Sequence, residues 1–284
     1  MAELPVTSDG DPQEFPLGFD ISVAHPARVY DYWLGGKDHF EPDRIAAEEV
    51  IAVRPTIIRD IRANREFLGR AVRFLAGEAG IRQFLDIGTG IPTADNTHEV
   101  AQKVAPEARV VYVDNDPIVL SHAKALLKST KQGACAYIDA DLRDTGQILA
   151  EAAQTLDFSR PVAVMLIAVM QVVLEDEAAG RIVAELLDAV PPGSFLALSH
   201  PANDLGGPHR NEVRARMNQM MRSPVTGRNQ EQVAKLFTGL DVLDPGVVVV
   251  SQWRPDSDLE VRMPAFLWGG VGGKVLPELA GKES

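Results

Sequence analysis

Phe84-Leu85-Asp86-Ile87-Gly88-Thr89-Gly90 is the stretch that decides the fold. Four residues suited to a buried strand run straight into a glycine-rich turn. A second apolar run, Val110-Val111-Tyr112-Val113, then ends in an acid, Asp114. Glycines in such a turn let the backbone approach a ligand with no Cβ between them. An acid at the end of the neighbouring strand can accept hydrogen bonds from both hydroxyls of a ribose. The pair of features therefore suits an adenosine-containing ligand.

The glycine spacing narrows the ligand further. A dinucleotide fingerprint is G-x-G-x-x-G, with a helix N-terminus set against a pyrophosphate. Here Gly90 is followed by Ile91-Pro92-Thr93, and the third glycine is missing. A D-x-G-x-G turn of this kind fits a nucleoside without phosphates, which points to S-adenosylmethionine as cofactor. The rival readings are a nicotinamide-dependent oxidoreductase and a non-catalytic protein that senses the nucleoside.

Outward from the turn, apolar runs alternate with helical patterns. Strands are predicted at 83–87, 109–113, 134–138, 162–168 and 194–199, and helices at 94–104, 117–128, 144–154 and 176–189. Alternation at this length implies a parallel sheet covered on both faces. Asp116-Pro117 reads as an N-cap followed by a first-turn proline. Further helical runs lie near 209–222 and 229–238, and strand character returns around 240–251 and 261–268. The glycine-rich segment after Gly269 is expected to be loose. Before the alternation, residues 56–79 place Ile57, Ile61, Leu68, Val72 and Leu75 on one helical stripe. Arg59, Arg62, Arg70 and Arg73 fall mostly off it, on an expected solvated face.

Composition sets the outer limits. The chain has 284 residues, 45% of them hydrophobic, enough for one large α/β domain. A formal charge of −12 is unlike a nucleic-acid binder, so nucleic acid is not an expected partner. The single cysteine, Cys135, permits no intramolecular disulfide and belongs to no cluster with zinc spacing, so no metal is expected. It reads as a small buried apolar residue rather than a nucleophile. The first 20 residues lack a signal-peptide pattern. The apolar run Val162–Val169 is shorter than the about 20 residues a membrane span needs. A soluble, cytoplasmic protein acting on a small molecule is the expectation. Residues 1–19 read as a disordered tail, 20–80 as an N-terminal lid with helices, 81–270 as the cofactor-binding domain and 271–284 as a loose tail.

Seven stretches together resemble one family: HPARVYDYWLGGKD (25–38), RANREFL (62–68), FLDIGTGIPT (84–93), ARVVYVDNDP (108–117), ADLRD (140–144), PPGSFLALSH (191–200) and WRPD (253–256). Their order is similar to that of a bacterial S-adenosyl methyltransferase family, within the class I S-adenosylmethionine-dependent methyltransferases. The resemblance spans about residues 20–270. It implies an α/β, Rossmann-like seven-stranded sheet, mostly parallel with an antiparallel last strand, carrying an N-terminal helical lid. It also implies methyl transfer, with the acceptor undefined. One departure stands out. The family commonly has a Leu-His-Phe-like stretch after the fourth strand, and this chain has Met170-Gln171-Val172. If that histidine works on the substrate, Gln171 cannot replace its proton chemistry.

Site residues follow from the strand ends. Asp86, Gly88 and Gly90 are expected to border the methionine part of the cofactor, with Asp86 receiving its ammonium. Asp114 is expected to hold the ribose, with Asn115 beside the adenine. By resemblance, Asp141 accepts from the adenine amino group and Leu142 offers backbone and apolar contact; the alternative for Asp141 is a helix cap. Ile167 and Ala168 end the fourth strand, where carbonyls can face the ammonium. Arg65 is a candidate for the cofactor carboxylate, or else a surface arginine. Arg28, Tyr30, Asp31, Gly35, Gly36 and Lys37 form either a lid over the ligand or a fixed clasp. His200 is a candidate general base, or a histidine satisfied by structural bonds. Met217, Met220 and Met221 line a pocket or fill helical core.

Overall fold

The computed structural model describes residues 21–92, 95–119, 121, 129–207, 210–220, 223–262 and 265–275. The apolar runs become the strands β1 (Gln83–Ile87), β2 (Arg109–Asp114), β3 (Ala134–Asp139), β4 (Ala163–Ile167) and β5 (Phe195–Pro201). All are parallel, in the order β3-β2-β1-β4-β5. β1 and β4 are buried at every residue, as expected of central strands covered on both faces. Chain order reverses between β1 and β4, and such a switch point opens a crevice at the carboxyl ends of the strands.

The far edge is antiparallel. β8 (Leu267–Gly273) lies beside β5, and two short pieces, β6 (Asp241–Val242) and β7 (Val248–Val249), pair with β8 on its other side. The expected sixth strand is thus interrupted by a turn at 243–247. The glycine-rich segment expected to be loose is instead the buried last strand through Gly273. Neighbouring side chains explain its glycines. A Cβ on Gly269 would come within 2.8 Å of Val250 and 3.2 Å of Phe67, and one on Gly272 within 3.1 Å of Leu240 and Phe237. The strand predicted at 261–268 is displaced by the short helix Asp258–Arg262.

Among the described residues, three helices precede the sheet: α1 (Pro26–Leu34), α2 (Glu41–Val53) and α3 (Ile57–Gly77). The predicted stripe on α3 is buried throughout. Its N-terminal end joins a cluster of Ala24, Val29, Trp33, Ala46, Ala47 and Val50. Its later turns pack under the sheet with Phe84, Met165 and Trp253. One arginine departs from the solvated face: Arg70 is 3% exposed. Its guanidinium donates to the carbonyls of Trp253 and Val250 and pairs with Glu260, tying α3 to the segment before β8. Arg62 and Arg73 are exposed.

Between the strands lie α4 (Thr97–Val104), α5 (Thr145–Ala152) and α6 (Asp176–Asp188), followed later by α7 (Arg210–Met220) and α8 (Gln230–Lys235). Of the helix predicted at 117–128, residues 117–119 and 121 are helical, and the rest lies outside the described residues. The predicted tail 1–19 lies outside them too. Met217 and Met220 pack against the α1–α3 cluster as helical core, and Met221 is not described. Cys135 is half-buried, and burial raises its thiol pKa to about 11, which suits a packing role. No helix among the described residues is long and apolar enough to cross a membrane.

Candidate active site

One cavity of about 190 Å³ lies at the carboxyl ends of β1 to β4. Ten residues predicted to hold the cofactor line it: Asp86, Gly88, Gly90, Asp114, Asn115, Asp141, Leu142, Ile167, Ala168 and Arg65. They come from five separate segments, brought together by the strand order.

The two halves of the motif are bonded to each other. The Gly90 amide donates to Asp114 Oδ2 at 2.8 Å, and the Asp116 amide donates to Asp114 Oδ1 at 3.0 Å. A carboxylate has about four acceptor positions. Two are spent on the turn, which leaves capacity for two ribose hydroxyls. Asp114 is 8% exposed, and burial holds its pKa above the ordinary carboxylate value. The two glycines divide the work. Both have positive φ, +74° at Gly88 and +64° at Gly90. A Cβ on Gly88 would overlap Val169, so that close approach is made by the protein rather than by a ligand. A Cβ on Gly90 would meet nothing within 4 Å, and Gly90 lines the cavity.

Asp86 is 4% exposed and accepts from Thr97 Oγ1 at 2.5 Å. Burial pushes its carboxyl up to about 6, with the Thr97 bond and the charge of Arg65 working against the rise. Burial favours the protonated acid, and a further cation beside it would favour the ionised form. Arg65 lies nearby, and its Nη2 donates to the Asp95 carbonyl at 3.2 Å. Ala168 adopts φ +50°, rare outside glycine and a mark of local strain at a site. Its carbonyl, expected to face the ammonium, accepts from Gln171 Nε2 at 2.5 Å.

At the adenine end, Asp141 accepts from Asn115 Nδ2 at 3.2 Å and is gripped by Arg143, whose Nη1 lies 3.0 Å from both carboxylate oxygens. Asp144 caps the following helix, while Asp141 also accepts from the Arg143 amide at 2.9 Å and lines the cavity. Arg143 was not anticipated, although it stands inside the ADLRD motif.

The second constellation is divided by the structure. Tyr30 and Asp31 line the cavity, together with His25, Pro26, Ala27 and Leu34 from the same segment. Arg28, Gly35, Gly36 and Lys37 do not line it. Arg28 is buried, lies 3.2 Å from Asp43 and donates to the Val23 carbonyl at 2.7 Å. Gly35, at φ +82°, is the left-handed residue that ends α1, a helix stop rather than a hinge. A Cβ on Gly36 would overlap the Asp31 carboxylate, and Lys37 is exposed. The start of α1 is tied down as well. His25 Nδ1 lies 2.8 Å from Asp116 Oδ2, next to Asp114, and the His25 amide donates to Asp43 Oδ1 at 2.9 Å. Burial pushes the Asp116 pKa up, but His25, the Ile118 amide and Arg28 together leave the value lowered.

His200 is removed from the candidates for base. It is 0% exposed and does not line the cavity. Arg228 Nη1 lies 2.7 Å from its Nε2, and its Nδ1 lies 2.9 Å from the Pro201 carbonyl. Guanidinium only donates and a carbonyl only accepts. The ring is therefore neutral, with its proton on Nδ1 and both nitrogens engaged. Burial lowers its pKa to about 4. Sequence position alone, near the end of the fifth apolar run, could not show that a buried arginine occupies it.

The fold and this site define an S-adenosylmethionine-dependent methyltransferase of class I architecture. The chain belongs to the S-adenosyl methyltransferase family, whose model matches residues 13–275. It is similar to a DUF574 family protein from Streptomyces avermitilis, 43% identical over 90% of this chain and 99% of that one, with a TM-score of 0.86. It is also similar to a provisional methyltransferase from Thermobifida fusca, 39% identical over 93% of this chain and 100% of that one, with a TM-score of 0.84. No curated protein matches the sequence at a significant level. S-adenosylmethionine is thus the cofactor and methyl transfer the reaction.

Proposed function

We propose that this methyltransferase acts on a small molecule inside the cell, using the α1 roof to hold the acceptor against the cofactor. The arrangement of Asp86, Asp114 and Asp141 around one cavity carries the reading. Asp86 takes the ammonium, Arg65 the carboxylate, Asp114 the ribose and Asp141 the adenine amino group. Once bound, the cofactor supplies a methyl group on a sulfonium, already a potent electrophile. The protein's share is then to orient the acceptor in line and to exclude water, and positioning of that kind can carry much of the rate. A cavity roofed by a packed helix and set in a chain of charge −12 suits a small acceptor better than a nucleic acid.

Two measurements test this. Calorimetry should show S-adenosylhomocysteine binding at least about a hundredfold tighter than NAD, a gap of roughly 2.7 kcal/mol; comparable NAD binding would overturn the site assignment. With methyl-labelled cofactor and a cell extract, the label should appear in dialysable material. Label retained on nucleic acid or protein would overturn the small-molecule reading.

A further inference from the structure

We propose that Tyr30 is a fixed hydrogen-bond donor to the methyl acceptor, and that the acceptor is a small carboxylic acid methylated on its ionised oxygen. This rests on the cofactor placement above.

A buried relay sets the direction of the Tyr30 hydroxyl. Ser199 Oγ lies 2.6 Å from Asn64 Oδ1, and Asn64 Nδ2 lies 3.1 Å from the Tyr30 hydroxyl. The shorter distance suits O–H···O and the longer one N–H···O. Ser199 therefore donates to the amide oxygen of Asn64, and the amide nitrogen donates to Tyr30. Within the relay the tyrosine oxygen is an acceptor, and its own proton is left for the cavity it lines. Ser199 and Asn64 are 0% and 1% exposed, so water does not compete for these bonds. Burial raises the Tyr30 pKa, with Asn64 and Arg65 opposing, so the hydroxyl keeps its proton at neutral pH and is no base.

The relay also fixes where the donor sits. Asp114 and Asp141 place adenosine over the β2–β3 side, and Asp86 places the methionine arm over β1. Ser199 lies in β5 level with Ile167, the last residue of β4, on the side of β4 away from β1. Tyr30 is thus tied to the end of the cavity that remains for the acceptor.

A hydroxyl that donates but is no base, with His200 neutral and spent, selects an acceptor that arrives already anionic. A carboxylic acid is ionised at neutral pH without help. An ammonium would set donor against donor, and an alcohol would need a base to remove its proton. A carboxylate also has two oxygens. Tyr30 holds one, and the other keeps its lone pair for attack. In the reaction that lone pair forms the O–CH3 bond, and the electrons of the S–CH3 bond return to sulfur. The products are a methyl ester and S-adenosylhomocysteine, and no proton changes hands. Asn64 and Ser199 are positioning residues for the tyrosine.

The protein saturated with S-adenosylhomocysteine is titrated with benzoate, benzyl alcohol and benzylamine. Benzoate should bind about tenfold or more tightly than the other two. Tyr30→Phe should abolish that preference, and Ser199→Ala should reduce it, with S-adenosylhomocysteine affinity unchanged in both. Absence of benzoate binding, or equal binding of the amine or alcohol, overturns the acceptor class. A tenfold loss of S-adenosylhomocysteine affinity in Tyr30→Phe assigns Tyr30 to the cofactor's own carboxylate and overturns its role. Failure of S-adenosylhomocysteine to bind the wild-type protein would show first, and would sink the cofactor placement and this inference together. In the labelled extract, the transferred methyl should be released as methanol by mild alkali; an alkali-stable product overturns the ester.

Discussion

Asp86 shows how a single buried carboxylate links binding to stability. Its folded pKa, about 6, lies above the ordinary 3.8. Between those values the folded chain holds a proton that the unfolded chain has released. The stability contribution of this group is therefore present at low pH and is lost as pH rises through that window. Cofactor binding has the opposite sign, because an ammonium needs the ionised acid. Affinity for S-adenosylhomocysteine should rise as pH climbs through about 6 and then level off, a profile calorimetry can follow. Asp86→Asn should flatten the profile, weaken binding, and raise the melting temperature of the free protein near neutral pH. A pH-independent affinity in the wild type would refute the ammonium assignment. Asp114→Asn tests the ribose. Loss of charge-assisted hydrogen bonds should cost about 1.5–3 kcal/mol, roughly ten- to a hundredfold in affinity, in a protein that still folds. An unchanged dissociation constant would mean the acid serves only Gly90 and Asp116.

The turn between β1 and α4 separates a fold glycine from a site glycine. Gly88→Ala should destabilise the protein strongly, because a Cβ there would overlap Val169 at φ +74°. Gly90→Ala meets open space, so its cost to the fold should be only the about 1–2 kcal/mol of a left-handed alanine. Its main effect should be on cofactor affinity. Chemical denaturation and calorimetry on the two variants would show whether the losses divide in this way. The neighbouring element, α1, bears on the lid question. It packs with Ala46, Ala47 and Val50, stops at Gly35 and is tied through His25 to Asp116, contacts made within the protein itself. Hydrogen exchange should find α1 protected without ligand and further slowed by S-adenosylhomocysteine. Rapid exchange of free α1 would restore the hinged lid.

Across the whole molecule, α3 joins the roof cluster to the sheet, with its first turns in one apolar cluster and its later turns in another. Unfolding should therefore be a single cooperative transition. The three tryptophans divide as reporters, Trp33 in the roof and Trp253 and Trp268 against the sheet. Single-tryptophan variants should give coincident denaturation midpoints. An earlier midpoint for Trp33 would show a roof that melts alone. Much of this architecture was legible in the sequence. The five parallel strands, the α3 stripe and the acids at the ends of β1 and β2 each rest on local periodicity or on a turn adjacent to a strand. Such signals are carried by a few neighbouring residues. Tertiary structure alone decided the rest. The glycines of 269–273 look like a flexible tail until Phe67, Phe237, Leu240 and Val250 close on them. Arg70 looks solvated, and His200 looks like a base, until Val250, Trp253 and Arg228 arrive from far along the chain. Tyr30 becomes a donor only through Asn64 and Ser199. Hydrogen-bond direction and burial belong to pairs of groups, and those pairs come from segments that meet only when the chain has folded.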